Sequence, residues 1–261
     1  MPLESSMERL RVQNLTVGFG NRIVQRELNF TVHHGSIFAI MGGSGCGKST
    51  VLRAMIGLLR PKGGTVVVDG EDYWAAADLR RSTIGRRFGV LFQSGALWSS
   101  MTVAENVALP LQMFTHLGQE AIGMLVDLKL SLVGLSSAAD RMPSELSGGM
   151  RKRAALARAL ALDPEILFFD EPSAGLDPVT SSRLDELIVE LSNGLGATVV
   201  IVSHELPSLF SICDDGIFLD AESGTAIAHG SPRELRDRCS LPAVRAFMER
   251  GREITATGRQ T

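Results

Sequence analysis

The sequence predicts an α/β protein whose mostly parallel sheet is covered by helices on both faces. Three observations carry that expectation. The apolar runs SIFAIM, EILFFDEP and ATVVIVSHE are short and separated by helix-patterned segments, as strands buried on both faces are. The first run leads through the glycine-rich GGSGCGKS into a helix, the strand–loop–helix setting of a phosphate-binding P-loop. The 261 residues, 44% hydrophobic and 21% charged, suffice for one large domain or a core with a satellite subdomain.

Taken in order, residues 9–40 read as short strands with turns: RLRVQNLTV, a GFGN turn, and SIFAIM as a buried strand. TVLRAMIGLL has apolar residues at helical spacing, and KGG stops it before the strand TVVVDG. RRFGVLFQ reads as a strand ending at Gln93. From about 94 to 160 the pattern shifts to helices and loops rich in Leu, Ala and Met, which predicts an inserted helical subdomain. The α/β core resumes with EILFFDEP as a strand, SSRLDELIVELSN as a helix and ATVVIVSHE as a strand. Short strands GIFLD and TAIAHG follow, then helices around PRELRDRC and PAVRAFMER. The last residues, GREITATGRQT, read as a polar tail.

Bulk composition removes several classes. A net charge of −3 gives no general attraction to nucleic acid or anionic lipid. Cys46, Cys213 and Cys239 are too few and too scattered for a disulfide frame or a zinc cluster, which fits a reducing cytosol. MPLESSMERLRVQNL lacks the apolar core of a signal peptide, and no apolar run approaches the roughly 18 residues that cross a bilayer. The expectation is a soluble chain whose membrane role, if any, comes from a partner.

The chemistry concentrates in a few places. Across Gly42, Gly43, Ser44, Gly45, Cys46, Gly47, Lys48, Ser49 and Thr50, glycines let backbone N–H groups curl round a β-phosphate. Lys48 supplies charge to the β- and γ-phosphates, and the Ser49 hydroxyl suits magnesium. Asp170 closes a buried strand, where its carboxylate can hold the same metal. Glu171, one residue later, is placed to polarise an attacking water. Two acidic residues opening a helix after a strand would also satisfy the helix dipole alone. His204 follows VVIVS, at the carboxyl edge of the sheet, where it can meet a γ-phosphate; a lone loop histidine is otherwise incidental. Gln93 can touch magnesium or the attacking water while swinging with its loop. SELSGGM adds a second glycine turn at the start of a basic helix, another anion reader about a hundred residues downstream, ending in the apolar Met150.

The order of P-loop, Gln93, LSGGM, ILFFDE, SAGLD and a histidine after the next strand resembles the ATP-binding subunit of ABC transporters from about residue 9 to 245. The resemblance implies a P-loop NTPase core with a small antiparallel β subdomain and the inserted helical subdomain, followed by a tail over 246–261. It implies an ATPase using ATP and Mg2+, and two copies packed head to tail with each ATP between them. Ser147, Gly148 and Gly149 would then read the partner copy's nucleotide, and Asp177 in SAGLD would link the two sites across the interface. Phe19 stands where the family places an adenine-stacking aromatic, without the hydroxyl of the usual tyrosine.

FQSGAL with a large apolar residue after it, together with Met in LSGGM, resembles the Mla/Mce lipid-transport ATPases. That implies phospholipid transport across a Gram-negative envelope through a separate integral membrane permease. The chain would sit on the cytoplasmic side of the inner membrane, with an Mce-domain protein and a small STAS-domain protein as further partners. FQSGALWSSMTVAENVALPLQ would face the permease, although Leu97, Trp98 and Met101 could equally be subdomain core. Another cargo, such as an amino acid or a metal chelate, stays open. A soluble ABC ATPase acting on DNA or ribosomes would need arms, a zinc insert or tandem cassettes that the sequence lacks.

Overall fold

The computed structural model describes residues 8–257. Among them the chain forms β1 (Glu8–Phe19), β2 (Arg22–His33), β3 (Ile37–Gly42), α1 (Lys48–Met55), β4 (Gly63–Val68), β5 (Glu71–Asp72), α2 (Asp78–Gly85) and β6 (Phe88–Leu91). Next come α3 (Val103–Phe114), α4 (Gln119–Leu132), α5 (Gly148–Ala159), β7 (Ile166–Asp170), α6 (Pro178–Leu195) and β8 (Thr198–Val202). The chain closes with α7 (Leu206–Ile212), β9 (Asp215–Leu219), β10 (Ala226–His229), α8 (Pro232–Arg238) and α9 (Pro242–Thr257).

A four-stranded antiparallel sheet, β2-β1-β4-β5, packs over a six-stranded sheet of order β10-β9-β3-β8-β7-β6. The second sheet is parallel except for β10. Side-chain alternation in its strands divides the core in two. Phe38, Ile40, Phe168, Val200 and Val202 face α1 and the antiparallel sheet. Ile37, Ala39, Met41, Phe169, Val199 and Ile201 face the helices on the other side. Phe168 and Phe169 are adjacent yet serve opposite cores, both fully buried, and each contributes about 1.5–3 kcal/mol by leaving water. Two-sided burial is why these strands read as unbroken apolar runs.

The sheets are also tied by charge. Arg9 of β1 donates to Asp69 (2.7 Å) and Glu165 (2.8 Å), and Arg87 pairs with the same two carboxylates. The Arg87 guanidinium holds the Glu165 carboxyl below its ordinary range. Some helix starts carry side-chain caps: Thr102 and Glu105 form a capping box on α3, and Asp177 followed by Pro178 opens α6.

Several boundaries depart from the sequence reading. The strand expected to end at Gln93 stops at Leu91, because a turn closed by Gly95 N–H on the Phe92 carbonyl (2.8 Å) has already begun. Helix α1 ends at Met55, since Gly57 turns left-handed (φ 87°) and its missing side chain leaves room for the Tyr73 hydroxyl. Helices α2 and α7 were not anticipated; α2 buries only Ile84, and α7 spans two turns. The polar tail expected over 246–261 is, through Thr257, the continuation of α9, with Val244, Phe247 and Met248 buried at helical spacing; residues 258–261 lie outside the described residues.

Candidate functional site

The P-loop owes its path to close approaches that only glycine allows. A β-carbon on Gly42 would stand 2.4 Å from the Leu219 carbonyl oxygen, and one on Gly47 2.5 Å from Val24. Both have positive φ, 145° and 104°. Gln25, fully buried in β2, donates from Nε2 to the carbonyls of Cys46 (2.7 Å) and Asp220 (2.9 Å), pinning the loop to the sheet above and the strand beside it. The Cys46 thiol is buried and burial pushes its pKa up, so Cys46 serves the loop through its backbone. Lys48 opens α1 and donates across the loop mouth to the Gly42 (2.9 Å) and Gly43 (3.0 Å) carbonyls.

A cavity of about 460 Å³ opens in front of this loop. Phe19, at the tip of β1 and half exposed, forms one wall with Arg22. Ser44, Gly45, Gly47, Lys48, Ser49 and Thr50 form the floor, and Gln93, Glu171 and His204 the far side. Ser49 Oγ donates to Asp170 Oδ1 at 2.8 Å, so a hydroxyl and a carboxylate meet at the edge of the floor. Burial raises the Asp170 carboxyl, against the opposing pull of that hydroxyl.

Glu171 sits in the left-handed region (φ 52°), which a non-glycine residue keeps only when its surroundings hold it. Its N–H donates to the Val202 carbonyl (2.8 Å), linking it to the end of β8. Its Oε1 lies 2.7 Å from His204 Nδ1, and its Oε2 accepts from Ser203 Oγ at 3.3 Å. Thus one buried carboxylate is aimed by the segment that carries the histidine.

The LSGG turn and Asp177 lie elsewhere on the surface and do not line this cavity. Ser147 caps α5, its Oγ accepting from Met150 N–H at 3.2 Å; Ser147 and Gly148 are exposed. A β-carbon on Gly149 would stand 2.6 Å from the Thr180 methyl, so this turn lies against the start of α6. There Asp177 accepts from Val179 N–H, Thr180 N–H and the Thr180 hydroxyl, and that hydroxyl leads in holding its carboxyl below the ordinary range. Met150 is half-buried against the larger core.

Sequence reasoning missed Arg22, Gln25, Asn106, Lys152 and Arg158. Asn106 is fully buried; it accepts from Trp98 N–H (2.8 Å) and donates to the carbonyls of Trp98, Met101 and Thr102. Arg158 of α5 donates to the Gly95 (2.9 Å) and Ala96 (2.7 Å) carbonyls, bracing the loop after Gln93 beside a cleft of about 520 Å³ between α2, β6, α3 and α5. The TVAEN string around Asn106 was a usable signal; the others had none.

A P-loop at the carboxyl edge of a parallel sheet, facing an acidic pair at the end of β7, one strand beyond β8, defines a nucleoside triphosphatase. The ABC transporter family matches residues 25–174, and the chain belongs to that family as an ATP-hydrolysing, ATP-binding subunit. It is 46% identical over 230 residues to the intermembrane phospholipid transport system ATP-binding protein MlaF of Escherichia coli K12, covering 88% of this chain and 84% of the relative. MlaF of Haemophilus influenzae is 41% identical, with 90% and 88% covered. A probable ribonucleotide transport ATP-binding protein, mkl of Mycobacterium tuberculosis, is 39% identical, with 95% and 68% covered. Among solved structures, cbiO1 of Clostridium perfringens, part of the cbiONQ ABC transporter complex, superposes with a TM-score of 0.80 at 27% identity over 97% of this chain and 96% of its own. The ATP-binding cassette MJ0796, solved as a post-hydrolysis dimer with ADP and Pi, superposes with a TM-score of 0.77 at 30% identity over 84% of this chain and 97% of its own.

Proposed function

We propose that this subunit hydrolyses MgATP at the cavity before the P-loop to drive phospholipid transport through a separate membrane permease. The observation that carries the reaction is the buried Glu171 carboxylate, held by His204 and Ser203 on the far side of a cavity floored by Lys48 and Ser49. Phe19 stacks on the adenine, and the loop N–H groups from Gly42 to Thr50 cradle the phosphates. Lys48 leaves the carbonyls it now holds and turns to the β- and γ-phosphates. Ser49 and Asp170, already oxygen to oxygen at 2.8 Å, suit a small hard cation that asks for one or two protein oxygens and keeps its other positions for phosphate and water. Bound there, magnesium supplies charge neutralisation on the phosphates. Glu171 takes a proton from the attacking water, His204 orients that carboxylate and meets the γ-phosphate, and Gln93 follows metal and water from its loop.

One copy leaves the LSGG turn facing solvent, which supports a head-to-tail pair. Ser147, Gly148 and Gly149 then complete the partner copy's site, and Asp177 sits at the seam. MJ0796 was itself solved as a dimer. The permease takes the cleft beside the loop after Gln93, and the exposed Trp98 further along that loop. Among the described residues no helix is long and apolar enough to cross a membrane. The permease holds the subunit on the cytoplasmic side of the inner membrane. Residues 9–245 act as one ATPase domain with 94–160 as its inserted subdomain. The two MlaF relatives favour phospholipid over an amino acid as cargo, and an Mce-domain protein and a small STAS-domain protein complete the machine.

The test is reconstitution of the chain with its co-purified permease in vesicles carrying fluorescent phospholipid. ATP-dependent phospholipid transfer is the expected result. ATP hydrolysis that moves an amino acid and leaves phospholipid in place overturns the cargo.

A further inference from the structure

We propose that Lys152 is a positioning residue for hydrolysis, tying the signature helix α5 to the backbone of Glu171 so that the carboxylate is aimed only when α5 is seated. The inference rests on the reading of Glu171 as the base and of the LSGG turn as the reader of the partner copy's ATP.

Lys152 lies one turn into α5, only 7% exposed, and points into the protein. Its ammonium donates to the carbonyl of Glu171 at 3.1 Å and to that of Ala174 at 2.6 Å. These carbonyls open and close the tight turn that follows β7, which Ala174 N–H seals on the Glu171 carbonyl at 3.3 Å. The peptide before Glu171 is held by Val202 of β8, and the peptide after it by Lys152 of α5. Such two-sided restraint helps to hold the left-handed conformation of Glu171. Burial lowers the Lys152 pKa, while the nearby Glu171 and Glu205 charges work to keep the ammonium protonated.

An apolar side chain would fill the same space at less desolvation cost, so the charge calls for a reason. The helix supplies one. Ser147 and Lys152 are five residues apart on α5, about 7.5 Å along a rigid helix. A shift of α5 as Ser147, Gly148 and Gly149 close on the partner's phosphates therefore displaces two carbonyl bonds in the turn that carries the base. A misplacement of about 1 Å at a reacting group costs on the order of a hundredfold in rate. Through Lys152, occupancy of the neighbour's site sets the aim of this site's own carboxylate.

The experiment measures steady-state ATP hydrolysis of the assembled complex, with fluorescent-ATP binding by the same preparations. Lys152→Met keeps length and loses both donors; it should lower kcat about tenfold or more with KM and nucleotide affinity within about twofold, and Lys152→Arg should recover much of the rate. In a Glu171→Gln background, Lys152→Met should add almost nothing, since both act through one group. Parent-like kcat in a folded Lys152→Met overturns the proposal, as does a loss shared equally by kcat and affinity that Lys152→Arg fails to rescue. If Lys152→Met does not fold, Lys152→Leu carries the test by the same split, and failure of both to fold overturns it by marking the lysine as a strut. Near-normal turnover in Glu171→Gln alone would instead remove the reading of Glu171, a separate outcome.

Discussion

His204 Nδ1 stands 2.7 Å from Glu171 Oε1, and the backbone N–H of the same histidine lies 3.4 Å from Oε2. One residue at the end of β8 thus addresses both oxygens of a carboxylate that grows from the end of β7. Because β7 and β8 are paired in register up to Asp170 and Val202, the sheet itself sets this geometry.

Glu171→Gln should keep this shape and lose the base. We expect kcat to fall about 10²–10⁴-fold with ATP still bound, and the ATP-bound pair to accumulate on size-exclusion chromatography of the complex. His204→Ala should cost less, about 10–10²-fold, because Ser203 still holds Oε2. A larger loss in His204→Ala than in Glu171→Gln would reverse their roles.

Leu97 and Trp98 are separable. Trp98 is 58% exposed, whereas Leu97 packs on the larger core. Trp98→Asp should leave the melting temperature of the isolated subunit nearly unchanged and weaken its co-purification with the permease. Leu97→Asp should destabilise the subunit itself by about 1–3 kcal/mol, since it removes a packed apolar side chain and takes a charge partly out of water. Equal melting losses in both variants would show that Trp98 is core as well.

Asp185 couples stability to pH. It is 8% exposed in α6, its Oδ1 has no hydrogen-bond partner, and burial raises its pKa to about 6, against a Ser208 hydrogen bond. Between the ordinary carboxyl value and about 6 the folded protein keeps a proton that the unfolded chain releases, so stability falls as pH rises through this window and stays lower above it. Asp185→Asn should therefore stabilise the protein by about 1–3 kcal/mol at pH 8, a gain that fades toward pH 4. Thermal denaturation across that range reads the difference, and a pH-independent gap between the two proteins would reject the cause.

Met150 offers only its backbone to the signature turn, donating to Ser147 Oγ, while its side chain leans on the larger core. Met150→Gln should leave hydrolysis of the complex within a few-fold of the parent, and Ser147→Arg should abolish it by blocking closure with bulk and charge. If both variants are equally dead, the side chain at 150 takes part in closure.

The fold was legible where burial is one-sided in cause. β3, β7 and β8 are wrapped on both faces, so all but the end residues Asp170 and Thr198 of β7 and β8 are apolar, and the P-loop had to advertise the glycines that its approaches to Leu219 and Val24 demand. Helix α2 was hidden because a segment that buries only Ile84 has no periodicity to read. In the site, Lys48, Ser49, Asp170 and Glu171 stand in motifs. Lys152, Arg158 and Gln25 act on backbone carbonyls 19–22, 62–63 and 21–195 residues away, and a carbonyl leaves no mark on residue type.

The strand order also dictates a schedule for synthesis. All four strands of the antiparallel sheet lie before residue 73, so that sheet can close as soon as its residues leave the ribosome. β3 cannot follow, because its neighbours β8 and β9 begin at Thr198 and Asp215. At about 5–20 residues per second, the strand leading into the phosphate loop waits roughly 8–30 seconds for an edge to join. Ile37 and Met41, which face the later helices, spend that interval without their final cover, an attraction for chaperones and for other nascent chains. A nucleotide that needs Asp170 as well as the loop meets a complete site only after β7 has been made.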